Sequence, residues 1–236
     1  MKKLWAGTSW LSTKLKIDQF DALELEISRL KLEKLEILDI GAGPATVWER
    51  PSIRKLSRYK TIEVTTFDAN QSIVPSEDVN SLVKKRLFGI APEDLREIPD
   101  NSYDLVTAYD VIEHLPKHDG YKLLYQINRI SRHTSVIFTP NGFLWQPPST
   151  NNEFNQHISG WKPNELREMG WTKVRGHTGL RINFGPYGVA KTNFFPTILR
   201  KEIYALGTLL VFFLPKLAFS FSAVQREKRV GIEYQE

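Results

Sequence analysis

The run Glu36-Ile-Leu-Asp-Ile-Gly-Ala-Gly-Pro-Ala constrains this chain more than any other stretch. An apolar segment that stops on two glycines one residue apart reads as a buried strand delivered into a tight turn. Gly41 and Gly43 remove side chains where backbone must turn or approach a ligand closely. A helix beyond the turn would add free amide groups and the positive end of its dipole, which together attract anions. The spacing is G-x-G-x-A, not the G-x-G-x-x-G of dinucleotide-binding turns, and Pro44 fills a turn position.

Strand-like runs recur beyond this turn. Residues 61–68 are β-branched and end on an acid, 85–90 form a weaker apolar run, and 103–111 and 135–140 read as further strands. Helical stretches at 48–59 and 118–131 separate them, the second with Tyr121, Leu124, Tyr125 and Asn128 at helix spacing. Strands alternating with helices over about 110 residues mean βαβ units and a parallel sheet. Further on, 163–170 is a short helix stopped by Gly170, 171–175 a strand, and 219–225 a late alternating strand. The first 35 residues read as helical, with Leu23, Ile27, Leu30 and Leu35 apolar among charges.

A chain of 236 residues with 41% hydrophobic content can bury the core of one large domain. It contains no cysteine, which excludes disulfides, a thiolate nucleophile, Cys-ligated zinc and thiolate-held iron–sulfur clusters. Lys+Arg 32 against Asp+Glu 27 leaves +5, short of the basic clusters of a general nucleic-acid binder.

Asp68 closes the second strand, 25 residues after Gly43. At the carboxyl edge of a parallel sheet an acid there can accept both hydroxyls of a ribose, in a nicotinamide dinucleotide or another nucleoside. A helix cap or a solvated loop acid is the plainer use of the same residue. Three further segments discriminate: Ala91-Pro-Glu-Asp-Leu, Ile98-Pro-Asp-Asn-Ser-Tyr-Asp-Leu-Val and Tyr109-Asp-Val-Ile-Glu-His-Leu. With them, residues 35–142 resemble the class I S-adenosylmethionine-dependent methyltransferases of small-molecule type, in a bacterial and archaeal subset, with the motifs in that superfamily's order and spacing.

The resemblance implies an α/β, Rossmann-like seven-stranded methyltransferase sheet, mostly parallel with an antiparallel last strand and helices on both faces. Residues 219–225 would supply the reversed strand. It implies a domain over 36–236 behind an N-terminal helical segment at 1–35, with an insertion or lid at about 177–216. The implied cofactor is S-adenosyl-L-methionine. By resemblance Asp39, Gly41, Ala42 and Gly43 meet its methionine end, and Asp68, with Ala69 after it, its ribose. Glu93, Asp94 and Leu95 lie against adenine, and Tyr109 and Asp110 close over the amino-acid part. The family pattern commonly carries an Asp where this chain has Ala91.

On the acceptor side, an in-line displacement needs alignment and the removal of one proton. His157, in Asn155-Gln-His-Ile-Ser-Gly-Trp, and His114 are the expected bases, with Asp110 and Glu113 as orienters. The competing reading of His157 is a side chain that pins its loop by bonding backbone. Asp110, Glu113 and His114 are also spaced D-x-x-E-H, and on a helix these positions would share one face and, with His157, offer a divalent ion its ligands. Metal-dependent small-RNA 2′-O-methyltransferases are similar, with Thr139-Pro-Asn-Gly ending a strand ahead of the last histidine. The thin basic footprint, and Asp110 standing for the first Glu of that pattern, favour a metal-free enzyme without a nucleic-acid partner. A non-catalytic binding module is a third reading, opposed by the intact glycines and Asp68.

From Met169 to Lys201 no acid occurs in 33 residues, while Arg181, Lys191, Arg200 and Lys201 interleave with Phe184, Tyr187, Phe194 and Phe195. Residues 203–215 then carry no charge for 13 positions, too few to cross a bilayer. This stretch reads as a crossover packed on the sheet or as an interfacial helix. At the start, Ser9, Ser12, Thr13, Lys14 and Lys16 interrupt what Lys2 and Lys3 open as a leader. The expectation is a cytoplasmic enzyme with a small-molecule or lipid-like methyl acceptor, peripheral membrane contact being the alternative placement.

Overall fold

The computed structural model describes residues 18–72, 81–148, 153–180 and 210–226. In chain order the strands are β1 (Lys34–Ile40), β2 (Thr61–Asp68), β3 (Val83–Phe88), β4 (Tyr103–Tyr109), β5 (Ser131–Pro140), β6 (Lys173–Leu180) and β7 (Ala218–Gln225). The helices are α1 (Asp21–Arg29), α2 (Pro51–Leu56), α3 (Lys117–Ile130) and α4 (Pro163–Glu168). The strands form a seven-stranded sheet in the order β3-β2-β1-β4-β5-β7-β6. β1 to β5 pair in parallel, and β7 runs antiparallel to both β5 and β6. The order switches direction beside β1, where β2 lies on one side and β4 on the other; open α/β sheets hold ligands at the carboxyl edge of such a point.

The central strands are buried on both faces, which is why they read as continuous apolar runs and not as alternations. Leu38 and Ile40 of β1 and Val106 and Ala108 of β4 join Leu123, Leu124 and Ile127 of α3, with Trp161, Leu166 and Trp171, in one core layer. Leu35 and Ile37 of β1, with Leu105 and Val136, face Leu23 and Ile27 of α1 and Trp48 and Ile53 in the other. Each aliphatic side chain fully buried this way contributes about 1.5–3 kcal/mol. The expected helical reading of residues 1–35 narrows to α1, followed by a turn and β1; residues 1–17 lie outside the described residues. A polar tie joins α1 to the far strands: the buried Glu26 carboxylate accepts from Thr134 Oγ1 at 3.2 Å and from Arg226 Nε at 3.1 Å.

The reversed strand expected at 219–225 is β7, between β5 and β6. Because β7 is antiparallel, its first residues share an edge with the ends of the parallel strands, Ser220 opposite Pro140. The strand expected at 171–175 runs longer, to Leu180. The basic-aromatic lid and most of the uncharged stretch at 203–215 lie outside the described residues. Among the described residues no helix is long and apolar enough to cross a membrane.

Candidate active site

A cavity of about 570 Å³ opens at the carboxyl edge of the sheet, between the ends of β1, β2 and β4 on one side and the chain following β5 on the other. Such a volume lies within the ~300–1,000 Å³ that encloses small ligands.

The first wall is built mainly from backbone. Gly41 has φ +66°, and its N–H donates to the Phe67 carbonyl at 2.7 Å. A Cβ there would lie 2.4 Å from Val111 Cγ2, so glycine is required twice over, by conformation and by space. Gly43, at φ +52°, would place a Cβ in open space, so only its conformation demands glycine. Its N–H donates to Asp68 Oδ2 at 2.7 Å, while Asp68 Oδ1 accepts from Asn70 N–H at 2.8 Å. Asp68 thus ties the turn after β1 to the end of β2, and its carboxylate borders the cavity together with Ala42 and Ala69. The element after the turn differs from the expected helix. Ala45, at φ +56°, leads into a short 3-10 turn, Thr46–Glu49, and only then into the six-residue α2. So short a helix adds little dipole, and the turn's own amides supply the donors.

Asp39 does not line the cavity. It lies beneath the glycine turn, 3% exposed, accepting from Trp48 Nε1–H at 2.7 Å. Burial, opposed by the Trp48 bond and aided by the Asp68 charge, pushes its carboxyl up to about 7. Glu93, Asp94 and Leu95 are also outside the lining. Leu95 is fully buried in the core, and Asp94 Oδ2 accepts from Ile90 N–H at 2.7 Å, capping the bend after β3. Gly89, Ile90 and Ala91 border the cavity in their place. Tyr109 lines it flat against Phe138, with ring centroids 5.7 Å apart and planes inclined 14°, and burial pushes its phenol well above the usual range.

The opposite wall is built from side chains. Asp110 adopts φ +53°, donates its N–H to the Phe138 carbonyl at 3.0 Å and opens into the cavity. Desolvation by the surrounding protein, opposed by a side-chain hydrogen bond with Glu113, pushes its carboxyl up to about 6. Glu113 lies behind, 2% exposed; its Oε2 accepts from Thr139 Oγ1 at 2.9 Å and its Oε1 has no hydrogen-bond partner. Burial first, then the neighbouring Asp110 charge, raises its carboxyl well above the ordinary range. The D-x-x-E-H segment is not a helix: the 3-10 turn covers only Ile112–His114, and the left-handed Asp110 precedes it. The shared helical face expected for Asp110, Glu113 and His114 is therefore absent, because positive φ breaks the helical path.

His114 Nδ1 bonds the Gln156 carbonyl at 2.9 Å, and His157 Nδ1 bonds the Leu144 carbonyl at 2.7 Å. A carbonyl can only accept, so each Nδ1 carries the proton and each Nε2 keeps a free lone pair. The two rings meet edge to face, 4.8 Å apart. Burial holds both imidazoles below their usual pKa, and for His157 the adjacent His114 adds to the effect. The loop is strapped down independently of these rings. Ile158 and Ser159 N–H both donate to the Glu113 carbonyl, at 2.8 and 3.0 Å, and Trp161 Nε1–H donates to the Ile112 carbonyl at 3.1 Å. Sequence reasoning missed Leu144, Gln146, Phe154 and Asn155 on this loop, and Phe219 and Ser220 at the start of β7, all of which border the cavity. Asn155 opens the motif that singled out His157 and Phe154 stands next to it; nothing local pointed to Phe219.

A family model described as a methyltransferase domain matches residues 38–139. No curated protein matches the chain. Among solved structures, a Galdieria sulphuraria protein provisionally assigned as a sarcosine dimethylglycine methyltransferase is 16% identical with a TM-score of 0.53, covering 90% of this chain and 85% of that one. A provisionally assigned Haloferax volcanii methyltransferase, solved with the Trm112 methyltransferase activator, is 16% identical with a TM-score of 0.51, covering 95% and 96%. An S-adenosylmethionine-dependent methyltransferase from Archaeoglobus fulgidus is likewise 16% identical, with a TM-score of 0.48, covering 92% and 97%.

The sheet order and the cavity at the carboxyl edge beside β1 are those of open α/β folds that hold a ligand at the switch point. Residues 38–139 match a methyltransferase domain, the class of protein whose methyl donor is S-adenosylmethionine. The residues present fit that molecule: space stands open beside Gly43, and each Asp68 oxygen accepts one backbone N–H, leaving lone pairs for hydroxyls.

Proposed function

We propose that the protein transfers a methyl group to an oxygen or nitrogen of a small or lipid-like acceptor seated against the loop that follows β5. The observation that carries this reading is the pair of Nε2 lone pairs, on His114 and His157, in the same cavity as the glycine turn and Asp68. Bound there, S-adenosylmethionine supplies an electrophilic methyl group carried on a sulfonium. Asp68 and the amides after Gly41 hold its nucleoside and amino-acid ends, and Tyr109 and Asp110 close over the latter. Held below their usual pKa, both imidazoles are neutral near pH 7 and able to accept the proton that the acceptor loses. Alignment supplies most of the rate, and the backbone bonds that hold the loop serve it. Leu144, Phe154 and Phe219 make the acceptor side largely apolar, which suits a bulky or acyl-bearing molecule better than a sugar. The experiment is transfer of labelled methyl to a panel of phenols, amines and lipid alcohols. Labelling of an apolar hydroxyl or amine supports the reading; labelling of RNA alone would overturn it in favour of the ribose-methylating alternative.

A further inference from the structure

Proton transfer needs one imidazole; the acceptor wall presents two, with a carboxylate beside them. Glu113, His114 and His157 each bring a ligand atom to the cluster, and these atoms all lie within 4.8 Å of one another. The three come from different places: Glu113 and His114 from the 3-10 turn after β4, His157 from the loop after β5.

The Nδ1 bonds to the Gln156 and Leu144 carbonyls fix both rings in the tautomer that leaves Nε2 unprotonated. Metal-ligating histidines are oriented by this kind of bond. The Glu113 carboxylate is steadied on one oxygen by Thr139 Oγ1, while its other oxygen, Oε1, is buried with no donor on it, and the Asp110 carboxyl is the neighbouring acid. A buried acceptor left unmade is costly, and a proton or a cation is what removes the cost. Two imidazole nitrogens and one carboxylate oxygen are the donor set of a site that keeps positions open for a further ligand. Asp110, which the D-x-x-E-H spacing includes, is not part of the cluster.

We propose that Glu113, His114 and His157 bind a divalent first-row cation of the Zn²⁺ or Mn²⁺ class, whose open positions face the acceptor. The site deepens the methyl-transfer reading and depends on it for its role, not for binding. A cation there polarises the acceptor's O–H or N–H. With both Nε2 lone pairs on the cation neither imidazole serves as base: the acceptor's proton would pass to water, the freed lone pair would bond to the methyl carbon, and the carbon–sulfur electron pair would stay on sulfur.

The test is calorimetric titration of chelator-stripped protein with Zn²⁺ and, separately, Mn²⁺, with S-adenosylmethionine titrated into the same samples. The wild-type chain is expected to take up about one equivalent of at least one cation. Glu113→Gln, which keeps the shape and removes the charge, and His157→Ala should each weaken that binding at least ~tenfold. Thr139→Val should weaken it by a similar factor through the oxygen it steadies, and serves if Glu113→Gln fails to fold. His118→Ala, on the exposed start of α3, should leave it unchanged. Absence of binding of either cation, or equal binding by the wild type and every variant, overturns the cation site and leaves methyl transfer standing. Cation binding without S-adenosylmethionine binding overturns methyl transfer and leaves the cation site standing.

Discussion

The two walls of the cavity are made in different ways. The cofactor wall is a backbone object: positive φ at Gly41 and Gly43, amides after β1, and one carboxylate at the end of β2 that clasps the turn. The acceptor wall is a side-chain object, its rings aimed by carbonyls 42 and 13 residues away in sequence. A wall fixed by backbone conformation tolerates few residues and repeats across a superfamily. A wall fixed by side chains can change its acceptor by exchanging a few of them, which is how one fold serves many chemistries.

If the walls act independently, His157→Ala should lower turnover by about 10²–10⁴-fold while S-adenosylmethionine affinity by calorimetry barely moves. A matching loss of cofactor affinity would join the walls into one unit. The next effect is a pair of opposite pH slopes, read from denaturant melts. Asp39, beneath the cofactor wall, has a folded pKa of about 7, above its ordinary 3.8. The folded state then holds the extra proton, so stability is lost as pH rises through that window. His177 packs against Phe138 behind the acceptor wall, and burial lowers it from 6.5 to about 3. There the unfolded state holds the extra proton, so stability is lost as pH falls below 6.5. Each slope integrates to no more than about 4–5 kcal/mol at roughly 1.36 kcal/mol per pKa unit. Asp39→Asn should flatten the first slope and His177→Gln the second; unchanged slopes would remove these groups as their source. Smaller again, Asp68→Ala should weaken cofactor binding by about 1–3 kcal/mol, and wild-type affinity in that variant would end the ribose assignment. Smallest, Asp94→Ala should lower stability by about 0.5–1.5 kcal/mol through the lost bond to Ile90, with little effect on cofactor affinity. A larger effect on affinity than on stability would return Asp94 to the adenine contact its motif implies.

The same contrast explains what the sequence made legible. Glycines in a strand-to-turn context and an acid at a strand end are local, so the cofactor wall could be read within a short span of chain. Asp39 and Leu95 are equally local, yet they turn inward, since motif membership does not say which way a residue faces. Asp110, Glu113 and His114 were visible as a spacing, but a single positive φ changed the geometry that the spacing suggested. Phe219 and Ser220 were beyond reach, because only the antiparallel insertion of β7 beside β5 brings them to the cavity.

That insertion also has a consequence in time. β5 can pair with β4 as soon as both exist, but its other edge has no partner until β7 arrives: Thr134 and Gln225, joined by a hydrogen bond, lie 91 residues apart. Contacts of such separation form late and slowly. During synthesis the nascent sheet therefore presents a long, open, apolar edge, the kind of surface on which chains stick to one another before they are complete. The cofactor wall and the histidine loop, bonded among residues 112–161, need nothing from β7, whereas Phe219 and Ser220 complete the cavity only when that strand arrives.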